Sequence, residues 1–182
     1  IEGDLANKVT IQACSGEYEP ISIALWSPEK IDQVVVETSD LKGPAGQISA
    51  SNLDVKVVKC WYQRNLERFG WRVLVPRFLL NDDSLVKVNH QERCNYLKLS
   101  FPEGNRYVDP STYIKKDMDE LELELEEFPL RDSDSLRPFD LIGGQNKQIW
   151  ITAKVPEEAT TGEYMGNILF EVNGKEIARV KV

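Results

Sequence analysis

Apolar and polar positions alternate in short runs along most of this chain. The clearest run sets Ile149, Ile151, Ala153 and Val155 against Trp150, Thr152 and Lys154, the two-residue period of a half-buried strand. Pro156 stops the run, because proline has no N–H to continue a ladder. A polar connection with Gly162 follows, and residues 164–172 read as the return strand. Earlier in the chain, 8–14, 20–26, 33–38 and 53–63 predict further strands, the last rich in valine and aromatics. Residues 73–80 (interrupted by Pro76), 85–88 and 95–101 predict three more. Asn81-Asp82-Asp83 reads as a turn, Gly143-Gly144 as another, and 64–72 and 102–110 as loops.

Two places leave the pattern open. In 115–129, Leu121, Leu123 and Leu125 alternate with glutamates at strand period, yet Leu and Glu favour helix; the alternation is given the edge. Near the end, Asn173-Gly174 is a strong hairpin signal. A two-residue turn pairs Phe170 with Ile177 and Leu169 with Ala178. A loop one residue longer aligns Ile168 with Val180 and Phe170 with Ala178, giving a cleaner apolar face. Many short strands, and no convincing helix beyond two turns, predict an all-β antiparallel β-sandwich, immunoglobulin- or jelly-roll-like, with few or no helices. Residues 1–182 are expected to form one such domain, a fragment of a larger multidomain protein.

Composition narrows the function. The formal net charge is -8, which repels phosphate backbones and anionic membranes, so neither nucleic acid nor membrane is an expected partner. No apolar run is long enough to span a bilayer. Cys14, Cys60 and Cys94 are widely spaced and lack a CxxC or Cys/His cluster; they read as buried free thiols, with one bridged pair as the alternative. With one histidine, His90, beside a turn, no two-histidine metal site is possible, and neither metal nor cofactor is expected. His90 itself reads as a surface residue rather than a base. Asp82-Asp83 and Asp132 with Asp134 are acidic pairs that do not match a calcium loop. No nucleophile elbow or phosphate-binding glycine loop occurs.

The aromatics remain as ligand-binding candidates. Sugars expose flat C–H faces that stack on Trp and Tyr, while their hydroxyls bond to amides and carboxylates. Trp26 and Trp150 lie opposite the aliphatic faces of their strands and so point outward. Trp71, near Phe69, and Tyr107 with Tyr113 sit in loops. These five are the candidate stacking residues, against the competing reading that each packs in a core. Trp61-Tyr62 is assigned to a core or domain interface.

Four strings, ACSGEYEPISIAL (13–25), VKVVKCWYQ (55–63), VPRFLLNDDSLV (75–86) and RPFDLIGGQNKQIWITAKVPEEATTGEYMGNI (137–168), together resemble the N-terminal β-sandwich region of glycoside hydrolases like family 123 of bacteria. In those proteins the sandwich precedes a catalytic barrel. The best motif, Val-Pro-x-x-Ala-x-x-Gly-x-Tyr-x-Gly at 155–166, speaks for architecture and poorly for substrate. The resemblance implies a non-catalytic accessory domain that binds carbohydrate, packs against a catalytic domain of the same parent chain, or both. It also implies export to the periplasm, cell surface or medium. The catalytic Asp-Glu pair of such enzymes has no counterpart here. Pro156, Gly162, Tyr164 and Gly166 are read as structural. A free-standing carbohydrate-binding module, a structural or protein-interaction domain without a glycan ligand, and a hydrolase are the alternatives.

Overall fold

A computed structural model describes residues 7–44, 46–64, 71–110 and 130–182. The strands are β1 (Tyr18–Trp26), β2 (Ile31–Thr38), β3 (Leu41–Gly43), β4 (Gly46–Ile48), β5 (Leu53–Arg64), β6 (Arg72–Leu80), β7 (Val86–Asn89), β8 (Cys94–Phe101), β9 (Gly104–Val108), β10 (Phe139–Leu141), β11 (Asn146–Lys154), β12 (Asn167–Val172) and β13 (Lys175–Lys181). The fold is all-β and sandwich-like, built of antiparallel sheets, with no helix of seven residues or more among the described residues. Two compact units divide the chain: residues 1–56 with 136–182, and residues 57–135.

In the first unit, one sheet places β11 between β1 and the opening residues of β5, and a second has the order β10-β2-β12-β13. Alternation puts Ile149 and Ile151 of β11, Val34 of β2, Ile168 and Phe170 of β12, and Phe139 of β10 at 2% exposure or less. Burying side chains of this size stabilises by about 1.5–3 kcal/mol each, which fixes register, since a one-residue slip would turn them all outward. A smaller cluster of Leu41, Ile48, Leu53 and Ala153 packs with Ile11, Val155, Tyr164 and Val182.

The C-terminal hairpin combines the two-residue turn of the first register with the strand pairs of the second; Phe170–Ile177 and Leu169–Ala178 do not form. Asn173 and Gly174 turn with φ 52° and 72°, so Val172 pairs with Lys175 and Glu171 with Glu176. A bulge then leaves Ile177 without an opposite residue, and Phe170 pairs with Ala178 and Ile168 with Val180. The turn chemistry is served at one end and the apolar face along the rest.

The expected strand at 8–14 is corrected. Only Lys8 bridges, in parallel to Lys181, with Val9 N–H donating to the Lys181 carbonyl at 2.8 Å and Lys181 N–H to that of Asn7 at 2.8 Å. Val9 and Ile11 are half-buried, as their alternation implies, and Ile11 packs against the Leu41 cluster without joining a ladder. Periodicity reports which side chains face a core, and a segment laid over one produces the same pattern as a strand.

In the second unit, β5 from Val57 onward pairs with β6. The register steps from Lys59–Phe78 to Cys60–Pro76, so Pro76 sits beside a bulge, where a missing N–H is tolerated. Strands β7, β8 and β9 form a three-stranded sheet. Strand β9 falls within the expected loop 102–110, a second correction: its residues, GNRYV, lack an apolar alternation, and Gly104 with φ +126° makes the reversal. Leu80, Leu85 and Val86 are buried there, with Trp61, Phe78, Val88 and Leu97 against them. Trp61 meets Phe78 edge-to-face at 5.4 Å, which agrees with its core assignment. The ambiguous segment 115–129 lies outside the described residues.

Candidate functional site

Of the five candidate aromatics, the fold brings Trp26 and Trp150 onto one surface. Strands β1 and β11 pair along nine residues, with Ser22 opposite Trp150 and Trp26 opposite Asn146. Residues directly opposite in an antiparallel pair share a face, and so do residues two apart on one strand. Trp26, Ala24, Ser22, Trp150, Gln148 and Asn146 therefore project together, away from the half-buried face of Ile21, Ile23 and Leu25 and from buried Ile149 and Ile151. Trp26 is 59% exposed and Trp150 half-buried. Between them the Gln148 amide donates to Ser22 Oγ at 2.9 Å.

The same face carries an aromatic that sequence reasoning passed over. Tyr18 opens β1 opposite Lys154 and is 61% exposed, with the Lys154 ammonium 5.7 Å over its ring. Its signal was its spacing: Tyr18, Ser22 and Trp26 are even-numbered positions of one strand and must share a face. The alternation starts this strand at residue 20, which leaves Tyr18 outside it.

Trp71 and Tyr107 belong to the second unit. Trp71 precedes β6 and is exposed. Tyr107 lies on β9, where its hydroxyl donates to the Ser84 carbonyl at 2.6 Å and the Lys87 ammonium stands 5.8 Å from its ring. Burial, then the charge of Asp82, push its phenol up from the ordinary value. The ring is thus tied at its tip and covered in part, an anchor for the 83–85 turn more than an open platform. Tyr113 and Phe69 lie outside the described residues.

The remaining chemistry is structural in character. His90 Nδ1 is 3.2 Å from the Tyr62 hydroxyl, in an edge-on ring contact. All three cysteines are free, as expected, but only Cys94 is buried; Cys14 is exposed, because its segment is not a strand, and Cys60 is half-buried. Burial raises the Cys60 thiol above its ordinary value, and Lys59 partly offsets this. The acidic pairs hold backbone: Asp132 accepts from the N–H groups of Asn81, Asp82 and Ser133 at 2.7, 2.8 and 2.9 Å, and Asp82 caps Ser84. Among the described residues, no three His, Cys, Asp or Glu side chains stand together as metal ligands do.

The first unit also holds a cavity of about 540 Å³, floored by Ile11, Leu41, Val155 and Tyr164 and edged by Cys14 and Thr161. Its wall is the motif loop. Tyr164 donates to the Thr160 carbonyl at 2.9 Å, and Ser15 to that of Ala159 at 3.0 Å. The Tyr164 ring lies where a Gly43 Cβ would be, 2.6 Å from its Cδ1, and Gly162 abuts Pro44. The Tyr164 ring thus lies against the Gly43 backbone, and Gly162 lies against Pro44.

No family model matches the chain, and no curated protein is significantly similar to it. A solved structure resembling it is a family 123 glycoside hydrolase from Clostridium perfringens, described for glycolipid glycan hydrolysis, at 15% identity and a TM-score of 0.48. The match covers 93% of this chain and 21% of that one, so the chain spans about a fifth of that enzyme's length. The relation is weak, and no property of that enzyme transfers to this chain through it.

Proposed function

We propose that this chain is a non-catalytic, carbohydrate-binding β-domain of a glycan-degrading enzyme, and that its binding surface is the outer face of β1 and β11. One observation carries the reading: Trp26 and Trp150 share that face, with the Ser22 hydroxyl and the Gln148 and Asn146 amides on the same surface. Flat rings beside neutral hydrogen-bonding groups are what a sugar's two kinds of surface require. The net charge of -8 favours neither nucleic acid nor an anionic membrane as partner. The accessory role beside a catalytic domain of the same parent chain, and export, are drawn from the sequence resemblance and belong to the same proposal.

Affinity electrophoresis of the 182-residue chain against a panel of soluble polysaccharides tests it. Retardation by at least one polymer, abolished in Trp26→Ala, is the expected result. Unretarded migration on every polymer by a folded sample would leave a structural or protein-interaction domain.

A further inference from the structure

We infer that the ligand of the β1–β11 face is an extended, uncharged polysaccharide chain, read at three aromatic platforms of which Tyr18 is the third; this rests on the glycan reading above. The register sets the geometry. Tyr18 stands opposite Lys154, Trp150 opposite Ser22 and Trp26 opposite Asn146, so each platform is four residues from the next along the strands. At about 3.3–3.4 Å per residue the steps are about 13 Å each, and the row is about 27 Å long. Tyr18 and Trp26 lie on β1, and Trp150 is one strand over, about 4.8 Å to the side.

Between the two β1 platforms lie Pro20, Ser22 and Ala24, all exposed and all shorter than the rings. The result is a strip with low ground between raised platforms. A terminal sugar is held by a pocket that encloses it, whereas platforms set in a row along a strand suit the middle of a chain. Charge selects among chains. From Asn146 to Thr152 on β11, and from Pro20 to Trp26 on β1, the outward residues carry no formal charge. On these two strands the one outward cation, Lys154, stands over the Tyr18 ring. On the neighbouring β5, Asp54 and Lys56 lie on the same face and pair with each other at 3.1 Å, so they add no net charge. A neutral strip on a chain of net charge -8 disfavours a polyanion and accepts an uncharged polymer.

The test is calorimetric titration of the full chain with uncharged gluco-, manno- and xylo-oligosaccharides, from disaccharides to octasaccharides, and with alginate as the charged counterpart. Expected is binding of at least one neutral series, tightening about tenfold or more from trisaccharide to hexasaccharide, since aromatic anchors supply most of a contact's affinity. Alginate should not bind. Tyr18→Ala, at an exposed position, should remove most of the gain for the hexasaccharide. Affinity that is flat beyond the disaccharide, preference for alginate, or an unchanged gain in Tyr18→Ala would overturn the inference while leaving glycan binding intact. Failure to bind any of these oligomers, with retardation by another polymer of the panel retained, would overturn the inference alone; failure to bind any oligomer and any polymer of the panel would overturn both.

Discussion

Replacing Gly166 with alanine isolates the close packing on which the motif loop depends. A Cβ at this position would lie 2.5 Å from Leu41 Cδ2, 2.9 Å from the Asp40 carbonyl oxygen and 3.0 Å from Ser39 Oγ. Leu41 is a core residue, and the Asp40 carbonyl is backbone leading into β3. Gly166 itself is fixed on its other side, donating to the Val182 carbonyl at 2.9 Å and accepting from its N–H at 3.1 Å. With both walls held, the methyl must displace one, and overpacking of this kind costs about 1–3 kcal/mol. The entropy alanine removes from the unfolded chain returns only about 0.4–1 kcal/mol. A net loss of about 1–2 kcal/mol lowers the melting temperature by roughly 2–8 °C in a chain of this size.

Gly174 provides the contrast. Nothing lies within 4 Å of a Cβ there, but its φ is +72°. Alanine should cost about 1 kcal/mol through conformation alone, and asparagine, which tolerates the left-handed region, should recover part of that loss. Urea unfolding of the two series separates the causes. At 166 the order should follow side-chain size, with serine and valine worse than alanine. At 174 asparagine should be better than alanine. A Gly166→Ala protein as stable as the parent would refute the steric argument. An asparagine no better than alanine at 174 would refute the conformational one.

Three further outcomes are expected. Native-state titration with a thiol reagent should modify Cys14 first and Cys60 more slowly, while Cys94 reacts only on unfolding, in the order of their exposure and with the raised Cys60 thiol adding to its delay; mass spectrometry of timed samples assigns the sites, and early labelling of Cys94 would contradict its burial. Because the Tyr107 phenol is raised above its ordinary 10.0, the unfolded chain releases that proton first, so its contribution to stability holds below pH 10 and is lost as pH rises through the folded value; Tyr107→Phe should flatten alkaline unfolding relative to the parent. Asp132→Ala strips the acceptor from three backbone N–H groups and should cost about 1–3 kcal/mol in urea unfolding, with Asp132→Asn intermediate because it keeps one oxygen.

Much of this fold was legible because it rests on period-two alternation. Strands β1, β2, β5 and β11 were found within a few residues, and the outward direction of Trp26 and Trp150 followed from the same period. What failed did so where alternation and pairing part company. Ile11 is half-buried because it covers a core, without belonging to a ladder. In β9 the reverse holds: backbone pairing to β8 makes a strand of residues whose side chains are nearly all exposed. The bulge at Ile177 was hidden because a single extra residue leaves both candidate registers partly right. At the candidate site, the strand faces placed two tryptophans, but the adjacency of β1 and β11, 120 residues apart in sequence, came only from the pairing. Tyr18 was missed through a two-residue error at a strand end, the least certain part of any element.

The most direct test of the central claim is a tryptophan-fluorescence titration with the polymer that gives the strongest retardation, comparing the parent chain with Trp26→Ala, Trp150→Ala and Trp71→Ala. Placement of the site on the β1–β11 face predicts saturable binding that weakens about tenfold or more in the first two variants and is unchanged in Trp71→Ala. Binding retained in Trp26→Ala and Trp150→Ala, or lost in Trp71→Ala alone, would contradict it.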